Sequence, residues 1–104
     1  MVLTQNKVNR FKIPCAELLD FDDSVSYRFE FNKESGCCKT TTIEANGVFC
    51  GEYADFYIKE GCTGAADEIE LPIGRYSLQI INTVDESLLY EISEVIVRPF
   101  NQYK

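Results

Sequence analysis

Five cysteines and no histidine set the chemistry open to this chain of 104 residues. Without histidine, the usual general base near neutral pH and the commonest metal ligand are both missing. Ser-His-Asp and Cys-His machinery is therefore excluded. A cysteine nucleophile needs a neighbour that favours its thiolate, and next to Cys37 and Cys38 only Lys39 offers one. Four of the thiols, Cys37, Cys38, Cys50 and Cys62, have the number and ligand type of a structural zinc site. Their spacing argues against it. Zinc knuckles separate paired cysteines by two to four residues, whereas here an adjacent pair is followed by two gaps of eleven. On a strand, Cys37 and Cys38 would also face opposite sides. Reduced thiols acting as small hydrophobes are the simpler reading. A Cys50–Cys62 disulfide is a third option, if the intervening chain brings their ends together. An odd number of cysteines cannot pair completely, which makes reduced thiols the default.

Oxygen ligands are clustered in "DFDDS", where Asp20, Asp22 and Asp23 could face a calcium ion. The EF-hand spacing, its glycine and its distal glutamate are absent, so a solvated turn is expected. Asp67, Glu68 and Glu70 read as solvated charges beside a strand, where they would also discourage edge-to-edge association. "GCTGAAD", Gly61 to Asp67, has two glycines but no following Lys-Ser/Thr, which removes a phosphate loop. It reads as a surface loop, with a contact role at one end of the domain as the alternative. The expectation is a non-enzyme with no cofactor and no bound metal.

Formal net charge is −7, with no basic block or stripe, so direct nucleic-acid binding is not expected. No segment approaches the roughly 20 apolar residues of a transmembrane helix, and no membrane association is expected. "MVLTQNKVNRFKIP" lacks the continuous apolar run of a secretory signal, which points to a product made in the cytoplasm. With 45% hydrophobic and 26% charged residues, the chain should fold as one soluble domain over residues 1–104.

Period-two alternation supplies the scaffold. In "SVSYRFEFN", Val25, Tyr27, Phe29 and Phe31 alternate with Ser26, Arg28 and Glu30, as a half-buried strand requires. "EYADFYIKE" sets Ala54, Phe56 and Ile58 against Tyr53, Asp55, Tyr57 and Lys59, both faces partly apolar, which suggests a central strand. The threonines of "KTTTIEANG" suit a strand that stops at Asn46-Gly47, a dipeptide that also favours tight hairpins. "SLLYEISEVIVRP" changes parity near Ser93-Glu94 and so predicts a bulge or a change of sheet, and Pro99 ends its pairing. A turn is expected at residues 84–87 before it, and "CAELLDF" is long enough for one helical turn. The cadence predicts an all-β, immunoglobulin-like antiparallel sandwich of about seven strands, running from about Lys7 to Pro99 with short arms at both ends.

"LPIGRYSLQII" carries the most specific pattern. Pro72 and Gly74 precede Tyr76, and an alternating strand follows with Leu78 and Ile80. Sandwich domains place a tyrosine corner in such a position: a buried phenol bonds to backbone a few residues upstream. An inward-facing strand aromatic without that bond is the alternative. The stretch from Leu71 through Ile80, followed by "TVDESLLYEISEVIV", resembles the small immunoglobulin-like domains of tailed-phage virion proteins, among them baseplate, head-decoration and auxiliary capsid proteins. The resemblance covers the last third of the chain well and the remainder by strand cadence. It implies a virion component, made in the host cytoplasm and added in multiple copies, that binds the major capsid protein or other virion proteins. An auxiliary or decoration protein of the head is the expected role.

Candidate contact residues lie at the two ends. Phe100 and Tyr103 of "RPFNQYK" follow the last strand, and aromatics are enriched at interface centres. Together with Phe11 of an N-terminal arm, Met1 to Phe11, they are the expected docking residues, unless the tail's aromatics fold back on the sandwich edge. The competing function is a ligand- or carbohydrate-binding module on a tail or cell surface. It would need an aromatic platform, for which Tyr53, Tyr57 and Tyr90 are the candidates if they lie on an exposed face; packing between strands is the simpler expectation for them.

Overall fold

Apolar side chains at every second position produce nine strands among the described residues of the computed structural model, which are 1–18, 21–34, 40–61 and 68–99. They are β1 (Val2–Thr4), β2 (Lys7–Pro14), β3 (Ser26–Lys33), β4 (Thr40–Asn46), β5 (Val48–Cys50), β6 (Tyr53–Glu60), β7 (Glu68–Ile69), β8 (Gly74–Asn82) and β9 (Leu88–Arg98). A short 3-10 turn at Cys15–Glu17 is the helical turn expected from "CAELLDF". The larger sheet has five strands in the order β1-β9-β8-β3-β4. The smaller has four: β2-β6-β5, with β7 also paired to β6.

The inward residues of the two sheets meet face to face. Tyr27, Phe29 and Phe31 of β3 are fully buried, as are Ala54 and Phe56 of β6. Phe56 reaches across to Phe29, ring centroids 5.2 Å apart, and to Tyr27 at 6.1 Å. Leu78 and Ile80 of β8 and Val95 and Val97 of β9 complete the core from the larger sheet. The fold is thus all-β and sandwich-like.

Several expectations need correction. Nine strands replace about seven, because three pieces of two or three residues, β1, β5 and β7, pair along the margins of longer strands. Pairing is not wholly antiparallel: β1 runs parallel to β9, and β7 parallel to β6. The N-terminal residues are no free arm. Leu3 is fully buried and Val2 to Thr4 pair with Ile96 to Arg98, while Phe11 lies within β2. Asn46-Gly47 does not close a hairpin either. It carries the chain from β4 in the larger sheet to β5 in the smaller. Gly47 is needed there for close approach: a Cβ would stand 2.7 Å from ring carbons of both Phe21 and Phe56.

Other local expectations hold. β6 is internal to its sheet, flanked by β2 on one side and by β5 and β7 on the other. Between β8 and β9, Tyr76 pairs with Val95 but Leu78 with Ile92, so β9 carries one extra residue at Ser93-Glu94. Two buried contacts tie the sheets' ends together. The Tyr76 hydroxyl donates to the Pro72 carbonyl at 2.6 Å, which is the tyrosine corner. Glu60, 3% exposed, accepts the Asn6 N–H at 2.7 Å through Oε1 and the Leu71 N–H at 2.9 Å through Oε2. One carboxylate thereby fixes the β1–β2 turn and the approach to β8.

Candidate interaction surface

The pleat of the smaller sheet decides which side chains face outward. Register pairs Val8 with Lys59, Arg10 with Tyr57 and Lys12 with Asp55, while β5 sets Val48 beside Asp55 and Cys50 beside Tyr53. Phe11, Ile13, Ala54, Phe56 and Ile58 are buried in the core, so the alternate positions form the outer face. Tyr57 and Val8 are each 52% exposed, Val48 57% and Tyr53 39%. Four residues of strand separate the two tyrosines, about 13 Å at a rise of ~3.3 Å per residue.

Between them sits a buried acid. Asp55 is 4% exposed although it points outward, because neighbouring side chains cover it. Its Oδ2 accepts from Arg10 Nε at 3.1 Å and Nη2 at 2.5 Å. That hydrogen bond, and then the charge of Asp55, push the Arg10 guanidinium further above its ordinary value. Asp55 Oδ1 is buried without a hydrogen-bond partner among the described residues. Lys12 Nζ lies 4.6 Å from the centre of the Tyr53 ring, a cation–π contact. Arg10, Lys12 and Lys59 outnumber two carboxylates here, Asp55 and Glu68, the latter beside Lys59 in register, within a chain of net charge −7. The face is locally basic, aromatic and held by short-range pairing.

The other sequence candidates are distributed as follows. Phe11 is 2% exposed and its ring stands 5.8 Å from Phe29, so it is a core residue and not a docking residue. Inward orientation on β2 is the reason. Phe100 and Tyr103 lie outside the described residues, as do Cys37, Cys38, Cys62, Asp20 and Asp67. Cys50 is exposed on the outer face of β5, and Cys15 is half-buried beside the core. Asp22 accepts the Ser24 N–H at 2.9 Å and its hydroxyl at 2.7 Å, which caps a local turn and lowers the Asp22 pKa. Tyr90 is separated from the other two tyrosines: it lies on β9, half-buried, and donates to Glu17 at 2.6 Å. That bond, and then burial, raise its pKa.

A cleft of about 460 Å³ opens beside the tyrosine corner, lined by Lys33, Thr40, Thr41, Thr42, Glu70, Pro72 and Tyr76. Its one phenol is committed to the Pro72 carbonyl. Sequence patterning missed the burial of Asp55 and Glu60, since charged residues at strand ends or on an outward face read as solvated. The available signal was "EYADFYIKE", whose outward positions are unusually aromatic. No protein-family model matches this chain, and neither does any curated protein or solved structure.

Proposed function

We propose that this chain is an immunoglobulin-like Greek-key domain that acts as a non-enzymatic structural protein of a phage virion, an auxiliary or decoration protein bound to the assembled capsid. Strand order supports the fold assignment. Immunoglobulin-like sandwiches set B, E and D in one sheet and C, F and G in the other, with C′ added beside C in the variable type. β2, β6 and β5 take the first three places, and β3, β8 and β9 the next, with β4 as C′. Tyr76 then stands at the start of strand F, where the tyrosine corner belongs. Antibody domains place a cysteine two residues further on, and buried Leu78 replaces it here.

The observation that carries the adhesive role is the exposed Tyr53, Tyr57, Val8 and Val48 on a sheet whose strands are firmly paired. A rigid patch of aromatic and aliphatic surface binds without ordering cost. The virion setting rests on the resemblance of Leu71 to Ile81. Many copies on one lattice would add weak single contacts through avidity. The test is sedimentation of the purified chain with empty capsids and, separately, with tails of the particle encoded alongside it. Saturable binding to capsids at a fixed stoichiometry is expected; binding to tails alone or to neither removes the decoration role.

Exposure of Tyr53 and Tyr57 on one face favours a second reading, a carbohydrate- or ligand-binding module. A glycan-array signal lost in folded Tyr57→Ala would establish it.

A further inference from the structure

We propose that the outer face of the smaller sheet docks on an acidic patch of a partner protein, with Tyr53 and Tyr57 as anchors and Lys12 and Lys59 selecting the partner's charge. This rests on the virion-adhesion reading and names its contact surface. Charge complementarity identifies the partner. The whole chain carries −7, yet this face holds three cations, Arg10, Lys12 and Lys59, against two carboxylates: Asp55, occupied by Arg10, and Glu68, paired in register with Lys59. An acidic surface approaching the molecule is therefore repelled elsewhere and drawn here. The larger sheet's outer face behaves oppositely: Arg28 is paired with Glu30 and Glu86, and Arg75 with Glu94.

Aliphatic surface favours a protein over a sugar as occupant. Val8 and Val48 flank the tyrosines and Arg10 at more than half exposure, and protein side chains can cover such methyl groups. Tyrosine and arginine are also the residues most enriched at binding hot spots. The Arg10–Asp55 bridge keeps the guanidinium in place beside Tyr57, so little side-chain freedom is lost on contact. The paired strands span on the order of 25 × 14 Å, about 350 Å². That is under half of the ~800 Å² per partner of a standard interface. One copy alone binds weakly, and repetition on a lattice supplies the rest.

The deciding experiment sediments wild type, the Lys12→Glu/Lys59→Glu double variant, Tyr57→Ala and Gln79→Ala with assembled heads and with tails, at low and high salt. Circular dichroism melts select the folded variants. The expected result is loss of at least about tenfold in affinity for the double variant and for Tyr57→Ala, each separately. Wild-type binding should weaken with salt, and Gln79→Ala on the larger sheet should bind as wild type. Folded face variants that sediment like wild type would overturn this docking surface while leaving the virion role standing. Wild type that sediments with neither particle removes both, and a glycan signal lost in Tyr57→Ala would then assign the face to carbohydrate.

Discussion

The two outer faces of this sandwich stand on the same pleat and use their charges differently. On the larger sheet, Arg28 bridges Glu30 and Glu86 at 2.7 Å each, Arg75 meets Glu94 at 3.3 Å, and Gln79 meets Glu91 at 3.2 Å. These pairs are at least partly exposed, and such pairs contribute little each. On the smaller sheet's outer face, Asp55 is buried under its arginine, and exposed tyrosines and valines surround it. The first face pairs its charges with one another and exposes Val2 and Leu88 at separate margins; the second gathers its exposed aromatic and aliphatic residues around one ion pair. Net charge alone would not separate them. Position within the pairing register does.

The largest expected effect removes what the faces share. Phe56 packs against Phe21, Tyr27 and Phe29 between the sheets, and Phe56→Ala should cost about 3–5 kcal/mol. Chemical denaturation followed by tyrosine fluorescence and by circular dichroism should show one common transition, because both faces depend on one core. Separate transitions would break the comparison by making the sheets independent.

Matched arginine deletions sharpen it. Arg10→Ala strands a buried carboxylate and should lower Tm by about 5–10 °C, whereas Arg75→Ala, whose partner is well exposed, should stay within about 2 °C. Equal shifts in calorimetry would show that Asp55 is no more dependent on its partner than a surface glutamate.

The corner joining the sheets comes next. Tyr76→Phe removes the hydroxyl bonded to Pro72 and should cost about 1 kcal/mol, or roughly 4–8 °C in Tm. Burial, and then the charge of Glu60, raise the Tyr76 pKa above its ordinary 10.0. The neutral phenol therefore stabilises the fold fully below pH 10, and that contribution is lost as pH rises from 10 through the folded value. Absorbance titration of wild type should show two late-ionising tyrosines, Tyr76 and Tyr90, of which Tyr76→Phe retains only the second.

The smallest effect belongs to the larger sheet's surface. Arg28 donates to Glu86 and lowers its pKa from the ordinary 4.5. A depressed carboxyl stabilises the fold above its unfolded value and loses that contribution as pH falls through the folded one. Tm should therefore decline on acidification below about pH 4.5, and Arg28→Ala should flatten that slope slightly. An unchanged slope in Arg28→Ala would assign the acid dependence to Asp22 and Asp85, whose pKa values are lowered by Ser24 and Ser87.

Much of the scaffold was legible in the sequence, for reasons tied to period two. Tyr27, Phe29 and Phe31 point inward because neighbouring strand positions alternate, whatever the partner strand. The parity change at Ser93-Glu94 allowed a bulge or a change of sheet, and β9 carries an extra residue at that place. Tyr76 closes its corner within four residues of backbone, a local arrangement that Pro72 and Gly74 prepare. The candidate site was less legible. Phe11 reads as part of a docking arm, but alternation along β2 turns it into the core. Tyr53 and Tyr57 read as one platform with Tyr90, which lies instead on the other sheet.

By itself, then, the sequence determined the long strands and most of their inward side chains, and it left the bulge and the corner each with one alternative, since each depends on neighbours a few residues away. Tertiary structure alone decided that Asn46-Gly47 changes sheets, that Leu3 closes an edge beside β9, that Glu60 gathers N–H groups from Asn6 and Leu71, and that Asp55 is buried under Arg10. Those contacts join residues far apart in the chain. Their geometry exists only once two sheets have closed on a common core, because burial, and with it the meaning of a charge, is a property of the assembled neighbours.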